Sequence, residues 1–461
     1  MDTMKRLLLD TALLPDGWAN QVELDIDERG TIVNVSCSGT STTSERRERV
    51  SGVTIPGMSN VHSHAFQRLM AGLAEFDGGG EDFWAWRTVM YDFANRIEPE
   101  DMLAITGQLY VDMLKFGYTA VGEFHYLHHN LDGSPYLNRA EMSFAVLEAA
   151  RQTGIGLTLL PVLYMTSGFD KARPTLLQRR FVNDLEGWLE IVSGVKDACR
   201  GNAQSRVGAA FHSLRAVPLD FIKNAIDGCS TIDVNGPFHM HCAEQLQEVD
   251  DCVATTGERP VERSLAHLPI NDAWCIVHAT HMTETEIVGL AQTGAVVGVC
   301  PTTEANLGDG IFPLESFHNS SGLMGIGSDS NVSVSPAEEL RCLDYVQRLI
   351  SRRRLVLGRA SEAHVGTHLW QMTASAGAKA LGQALGAIAP GYRCDLVVLD
   401  REHPSLVGHG PAAWIDGWVF ASAGNPVQSV MVGGDWLVRE GRHRDEESIA
   451  EAYRAVVNRL M

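Results

Sequence analysis

Two histidines at the end of an apolar run could bind a metal ion. His62 and His64 close the segment VTIPGMSNVHSH. In an extended chain, residues i and i+2 point to the same side, so both imidazoles can reach one cation from a single strand. The H-x-H pattern alone is a weak indication, because the same pair also occurs by coincidence on surfaces and in cores.

A second segment, FHMHCAEQ, offers His239, His241 and Glu244. His239 and His241 share one face of a strand, so their spacing does not decide which of them is a ligand. Glu244 follows three residues after His241 and could enter a site where the chain leaves the strand. A carboxylate beside a metal-bound water is suited to proton transfer, although an acidic residue in the first turn of a helix is the more ordinary explanation.

Two further runs end in groups of the same kind. WCIVH ends at His278, with His281 beyond it, and GLMGIGSD ends at Asp329. Either histidine could lie in an exposed loop, and the aspartate could cap a helix. A set of His62, His64, one histidine of FHMHCAEQ and Asp329 suits zinc, with iron and manganese as alternatives. The segments IGLTLLPVL and RVGAAFHSLR contain no lysine that could bridge two metals, so we expect one metal with an open position for water.

These residues must be brought together by repeating strand and helix units. Eight short apolar runs recur through the middle of the chain, separated by amphipathic stretches such as EDMLAITGQLYVDMLKFG. This alternation predicts parallel strands joined by right-handed crossovers, and eight units predict a closed (β/α)8 barrel. The carboxyl ends of barrel strands meet at one mouth, where catalytic residues lie. An open doubly wound sheet is the alternative, but no glycine-rich phosphate loop follows the first strand.

Both ends of the chain are rich in alternating, strand-like runs. QVELDIDERGTIVNVS contains the turn DERG, and VQSVMVGGDWLVREG contains the turn GGD. We predict a small composite β-sandwich domain from residues 1–55 and 387–461, the latter ending in a helix. Residues 56–386 are predicted to form the metal-dependent barrel between them.

Composition limits the class of protein. The 461 residues include 37 Lys and Arg against 57 Asp and Glu, a net charge of −20. This charge disfavours binding to nucleic acid or to an anionic membrane. Nine cysteines occur without a C-x-x-C motif, and we find neither a signal peptide nor an apolar run of about 18 residues. We therefore expect a cytoplasmic protein with reduced thiols.

The segments PGMSNVHSHAFQRLMAGLAE, FHMHCAEQ, WCIVHATH and GIGSDSN resemble the amidohydrolase superfamily, over nearly the whole chain. The resemblance implies an α/β fold in which a (β/α)8 barrel carries a small β-sandwich from both termini. Within the superfamily, HSHAFQRLMAGLAE, DFWAWRTVMY and HCAEQ are similar to deiminases of histidine degradation that act on N-formimino-L-glutamate. This implies metal-dependent hydrolysis of a small dicarboxylate to N-formyl-L-glutamate and ammonia, with one zinc ion per chain and a homodimeric assembly.

The resemblance also implies roles for individual residues. The implied metal ligands are His62, His64, His241 and Asp329, which selects His241 over His239. The implied catalytic residues are Glu244, His278 and Asp329. The implied substrate-binding residues are Gln67, Arg87, Tyr126, His212 and Arg215. We further expect Trp84 and Trp86 to help close the site, and His125, His128 and His129 to occupy a loop without a catalytic role.

Two other functions remain as alternatives. A related deaminase or chlorohydrolase could act on a heterocycle such as guanine or a triazine, which would need stacking residues and fewer arginines. A metal-binding protein without activity would be expected to lack a ligand or Glu244, and the sequence lacks neither. An anionic substrate also needs a local reversal of the overall charge, which Arg87, Arg215 and a divalent metal would provide.

Overall fold

The computed structural model describes residues 4–37, 47–73, 75, 83–357 and 364–461, without the side chains of residues 83–85. The first strands are β1 (Lys5–Leu14), β2 (Gly17–Ile26), β3 (Ile32–Cys37) and β4 (Glu48–Pro56). β1, β2 and β3 pair antiparallel in sequence, so the turn predicted at DERG joins β2 to β3, while β4 pairs parallel to β1. Alternate residues such as Leu7, Leu9, Val22 and Leu24 are fully buried, as the period of two requires.

Nine strand segments follow and form a closed parallel barrel. They are β5 (Met58–Ser63), β6 (Tyr118–His125), β7 (Gly156–Leu163), β8 (Ser205–Val207), β9 (Ala209–Phe211), β10 (Phe238–Cys242), β11 (Trp274–His278), β12 (Val296–Val299) and β13 (Leu323–Ile326). Their order is β6-β5-β13-β12-β11-β10-β9-β7-β8, and the pairing of β6 with β7 closes the ring. All eight predicted runs form barrel strands, which confirms the predicted fold class.

The fourth strand position is divided into β8 and β9 at Gly208. A Cβ atom on this glycine would lie 2.6 Å from the carbonyl oxygen of Pro237. The amide of Gly208 donates to the carbonyl of Leu159 in β7, and the amide of Ala209 donates to Pro237. The absence of a side chain therefore lets the neighbouring strands stay close where the segment is interrupted.

Helices connect the strands. They are α1 (Phe83–Ala94), α2 (Pro99–Lys115), α3 (Glu141–Thr153), α4 (Leu185–Cys199), α5 (Leu219–Thr231), α6 (Leu246–Thr256), α7 (Pro260–His267), α8 (Glu284–Gln292), α9 (Pro301–Leu307), α10 (Leu314–Asn319), α11 (Pro336–Ser351), α12 (Val365–Leu381), α13 (Trp414–Asp416) and α14 (Glu446–Leu460). Local signals explain several boundaries: Asp184 caps α4 through the amide of Gly187, and Thr283 caps α8 through Glu286. α9 and α11 start with proline, which needs no amide partner in the first turn.

The carboxyl-terminal strands complete the composite domain. They are β14 (Leu396–Leu399), β15 (Val427–Val432), β16 (Asp435–Arg439) and β17 (Arg442–His443). The sheet has the order β17-β16-β15-β14-β4-β1-β2-β3, so both termini contribute to it, and GGD is the turn between β15 and β16. The predicted boundaries at residues 55 and 387 fall at the end of β4 and between α12 and β14. In the described part of the chain, no helix is long and apolar enough to cross a membrane.

Candidate active site

Four side chains from three barrel strands converge at the carboxyl ends of those strands. His62 and His64 come from the end of β5, His241 from β10 and Asp329 from just beyond β13. The Nε2 atom of His62 lies 3.2 Å from Nε2 of His64 and 3.0 Å from Nε2 of His241. Oδ1 of Asp329 lies 3.2 Å from Nε2 of His64 and 3.5 Å from Nε2 of His62. The four potential ligand atoms lie within 4.8 Å of one another, so the sequence-predicted ligands form one compact group. All four side chains are buried.

Backbone hydrogen bonds fix the two sides of this group to each other. The amide of Asp329 donates to the carbonyl of His62 at 2.9 Å, and the amide of His64 donates to the carbonyl of Asp329 at 3.0 Å. A Cβ atom on Gly327 would lie 2.9 Å from both Cβ and the carbonyl oxygen of His62. Glycine at this position therefore lets the ends of β5 and β13 approach closely enough for their side chains to share a centre.

Residues at the carboxyl ends of three barrel strands, β10, β11 and β13, adopt left-handed backbone conformations. φ is +52° at Ala243, +68° at His278, +49° at Ala279 and +46° at Asp329. Residues other than glycine adopt this region rarely, and such strained positions cluster where side chains serve a function. Here the conformation turns the chain sharply at the top of the strands, so that successive side chains remain at the mouth of the barrel.

The hydrogen bonding of the histidines leaves unprotonated nitrogens at the centre. Nδ1 of His64 donates to the carbonyl of Phe124 at 2.9 Å, so Nε2 is the ring nitrogen that can offer a lone pair at the centre. Burial, together with nearby histidines, lowers the pKa of His62 to about 3 and that of His241 well below its usual value. Burial raises the pKa of Asp329, but its interactions with the rings of His62 and His64 outweigh burial and hold the pKa well below normal. The donor set therefore fits a divalent cation, which would satisfy atoms that otherwise face one another as acceptors.

The structure separates the two histidines that the strand period leaves equivalent. Nε2 of His239 lies 2.9 Å from the carbonyl oxygen of Ala380 in α12, at the opposite end of the barrel from the mouth. Nε2 of His281 lies 2.7 Å from the carbonyl of Asp309. Neither joins the group around His62. His125, His128 and His129 are also buried; Nε2 of His128 contacts the carbonyl of Val162 and Nε2 of His129 contacts that of Val182.

Glu244, His278 and the second oxygen of Asp329 lie together beside the four-residue group. Nε2 of His278 is 3.7 Å from Oε1 of Glu244 and 3.8 Å from Oδ2 of Asp329. Burial lowers the pKa of His278, but the carboxylates of Glu244, Glu304 and Asp329 outweigh burial and raise it to about 10. Burial raises the pKa of Glu244. Asp329 thus directs Oδ1 towards the histidine ligands and Oδ2 towards the residues that could transfer protons.

The predicted substrate residues line one pocket that opens from this centre. Its empty volume, including the open mouth, is about 550 Å³. Its walls include Gln67, Arg87, Tyr126, His212 and Arg215, together with His64, His241, Glu244 and Asp329. Nε2 of Gln67 donates to the hydroxyl of Tyr126 at 2.7 Å, and Nε of Arg87 donates to the hydroxyl of Tyr91 at 2.6 Å.

Arg215 differs from the other cations near the site. It is partly buried, and within the part of the chain that the structure describes it forms no side-chain hydrogen bond or ion pair. Burial lowers the pKa of Arg215, but the charges of Glu248 and, more weakly, Glu244 help to raise it above its usual value. A guanidinium that stays charged and keeps its donors available is suited to a carboxylate ligand.

Several pocket residues escape the sequence analysis. Tyr91, Tyr164 and Phe181 line the pocket, and Glu304 contacts His278 from behind. Aromatic residues in helices and loops have no spacing that marks them, and a glutamate in the first turn of a helix has an ordinary explanation. Trp86 also lines the pocket. The side chain of Trp84 lies outside the described residues.

The comparisons with known proteins agree with this architecture. The model of the amidohydrolase family matches residues 53–437. An amidohydrolase from Brucella melitensis, solved by crystallography, superposes with a TM-score of 0.92 at 42% identity, covering 99% of both chains. A zinc-bound adenosine deaminase from Xanthomonas campestris superposes with a TM-score of 0.82 at 21% identity, covering 99% of this chain and 98% of its own, and thereby supports the fold alone.

Two curated relatives have deaminating activities. Formimidoylglutamate deiminase of Pseudomonas aeruginosa is 45% identical over 459 residues, which are 99% of this chain and 100% of that protein. The 5-methylthioadenosine/S-adenosylhomocysteine deaminase of Natronomonas pharaonis is 28% identical over 84% of this chain and 82% of its own. With the family model covering most of the chain and a relative matching its full length, this protein belongs to the amidohydrolase family.

Proposed function

We propose that this protein hydrolyses N-formimino-L-glutamate to N-formyl-L-glutamate and ammonia. One structural observation carries the proposal: a single pocket joins two arginines to a buried group of three histidines and an aspartate. The substrate has the same polarity, with two carboxylates at one end and an amidine at the other. The full-length similarity to a formimidoylglutamate deiminase supports the same substrate.

Arg87 and Arg215 would bind the carboxylates of the substrate. Guanidinium groups suit this task because their planar donors can make two parallel hydrogen bonds to one carboxylate. Arg87 is oriented by its bond to Tyr91, while Arg215 keeps its donors available for the ligand. His212, with its pKa lowered by burial and by Arg215 and Arg87, would serve as a neutral hydrogen-bonding partner. Gln67 and Tyr126, already joined to each other, would complete the polar wall.

His62, His64, His241 and Asp329 would hold one metal ion, and we propose zinc. Nitrogen and oxygen donors in a buried, four-residue group match the preference of this ion. When bound, the ion would lower the pKa of water from 15.7 towards about 7 and so supply a nucleophile at neutral pH. His64 is held by the carbonyl of Phe124, an arrangement that fixes the ring and its tautomer for binding.

The surrounding residues would then move protons. Oδ2 of Asp329 faces His278 and would accept the proton of the attacking water. Nε2 of His278 would hydrogen-bond to the attacking oxygen and stabilise the tetrahedral adduct. Glu244 has a pKa raised by burial, so it can hold the proton that the departing nitrogen requires. Ammonia leaves, and N-formyl-L-glutamate remains.

Steady-state release of ammonia tests the proposal. The purified protein should release ammonia from N-formimino-L-glutamate and produce N-formyl-L-glutamate, which mass spectrometry identifies. Guanine and 5′-methylthioadenosine, offered at the same concentration, should be at least about 100-fold poorer substrates because their rings offer no carboxylate to Arg87 or Arg215. Turnover of either heterocycle at a rate equal to or above that of the formimino compound would overturn the assignment.

We also propose a homodimer in the cytoplasm. The dimer rests on the family resemblance, and light scattering of the purified protein tests it. All nine cysteines are free, which suits a reducing compartment. Cell fractionation with an antibody against the native protein tests the location.

A further inference from the structure

Glu304 in α9 lies directly behind His278. Its Oε1 atom is 3.2 Å from Nδ1 of His278, and both side chains are buried. A carboxylate oxygen accepts, so Nδ1 donates the hydrogen bond. The other ring nitrogen, Nε2, then faces Glu244 and Asp329, at 3.7 and 3.8 Å.

The carboxylate is itself held in place by the start of α9. Oε1 of Glu304 accepts a second hydrogen bond, from the amide of Cys300 at 2.9 Å. The amide of Glu304 donates to the carbonyl of Cys300 at the same distance of 2.9 Å, in the first helical turn. The hydrogen bond from Cys300 therefore fixes the carboxylate that His278 meets to the first turn of α9.

The ring of His278 needs such a support. His278 and Ala279 both adopt left-handed conformations, so the backbone leaves the regular strand at this residue. Rotation of the imidazole by half a turn would exchange its two nitrogens and place Nδ1, instead of Nε2, beside Glu244 and Asp329. A fixed acceptor on one nitrogen determines the orientation of a catalytic histidine.

We propose that Glu304 is a positioning residue for the reaction: it holds the ring of His278 so that Nε2 faces the reacting atoms. The inference rests on the deiminase activity proposed above. This positioning role requires a side-chain oxygen at residue 304 that accepts a hydrogen bond from His278. The role does not require a negative charge at residue 304.

A second metal site is the competing explanation for the same residues. Nδ1 of His278, Sγ of Cys300 and an oxygen of Glu304 lie within 4.8 Å of one another. The geometry favours the hydrogen bond, because the Glu304 oxygen is already shared between Nδ1 of His278 and the amide of Cys300.

The test compares Glu304→Leu with Glu304→Gln in the full-length, metal-loaded enzyme. Leucine removes the acceptor, and kcat should fall about 100-fold while KM stays within twofold, because substrate contacts lie on the other side of His278. Glutamine keeps an oxygen at the same place, and kcat should remain within about tenfold of wild type. Wild-type turnover in the same experiment tests the proposed function separately.

Glu339 provides a matched control. It is another fully buried glutamate, and it accepts hydrogen bonds from the amide and hydroxyl of Thr302 in α9, without contacting His278. Glu339→Leu should lower the melting temperature but leave kcat within twofold. A kcat of Glu304→Leu within twofold of wild type would overturn the proposal, as would equal losses in the glutamine and leucine variants. A second equivalent of bound metal that disappears in Glu304→Leu would overturn it too, because the residue would then be a ligand.

Discussion

Replacement of Arg215 by methionine should weaken substrate binding without weakening the fold. Arg215 lies in the pocket wall and forms no side-chain hydrogen bond or ion pair in the described part of the chain. Methionine matches much of its length and removes the charge. Because no protein acceptor loses a partner, the melting temperature should stay the same or rise, as expected where a residue is kept for function.

The magnitude follows from the hydrogen bonds that the arginine can make. Two bonds to a carboxylate contribute roughly 1.5–3 kcal/mol each, and the nearby charge of Glu248 offsets part of this gain. A net loss of about 3 kcal/mol corresponds to a fall in kcat/KM of roughly 150-fold. A contact to a non-reacting carboxylate is similar in the ground and transition states, so most of the loss should appear in KM.

The assay is ammonia release from N-formimino-L-glutamate and from two analogues, each lacking one carboxylate. Wild type should discriminate against both analogues, whereas Arg215→Met should no longer discriminate against the analogue that lacks the carboxylate bound by Arg215. Arg393→Met is the control: Arg393 pairs with buried Asp395 at 2.7 Å and lies in the composite sheet domain. It should lower stability by about 3 kcal/mol or more and leave kcat/KM unchanged. A kcat/KM for Arg215→Met within threefold of wild type would refute the reasoning.

Three further changes test other parts of the site. Glu244→Gln should lower kcat about 10²–10⁴-fold with unchanged metal content, measured by turnover and elemental analysis, and near-normal turnover would exclude Glu244 as the proton carrier. His241→Asn should lose the metal that wild type releases only to a chelator, whereas His239→Asn should retain it, and equal retention would contradict the ligand assignment. Burial raises the pKa of Glu339 from 4.5 to about 8. The folded protein therefore keeps a proton that the unfolded chain releases, and stability falls as pH rises through this range. Glu339→Gln should remove a fall on the order of 4 kcal/mol, measured by urea unfolding at pH 5 and pH 8.5, and an unchanged pH dependence would contradict the assignment.

The sequence predicts the convergence of the metal-type residues for a simple reason. Each of His62, His241, His278 and Asp329 stands at or just beyond the end of an apolar run, and parallel barrel strands end at one mouth. Strand period and chain order are local properties, so they can be found without the structure. The same reasoning predicts the paired turns at both termini, because each lies between two alternating runs.

The choice between His239 and His241 depends on a contact that the sequence does not reveal. Two residues along a strand correspond to roughly 6–7 Å, so the two rings share a face but lie at different depths in the barrel. The deeper ring meets the carbonyl of Ala380, in a helix that is about 140 residues away in sequence. Glu304 was missed for the same reason, since its partner His278 lies 26 residues earlier and no local pattern joins them.

The distribution of charge in the pocket reconciles an acidic protein with a dicarboxylate substrate. The net charge of −20 acts mainly through distant groups, which salt screens beyond about 8 Å at physiological ionic strength. Within the pocket, Arg87 and Arg215 line the wall while Glu244 and Asp329 lie at the centre. The wall therefore stabilises a carboxylate, while the amidine is left beside Glu244, which can give a proton to its departing nitrogen. A ligand with both groups fits this polarity in one orientation, which places its reactive carbon, and not its carboxylates, beside the residues that transfer protons.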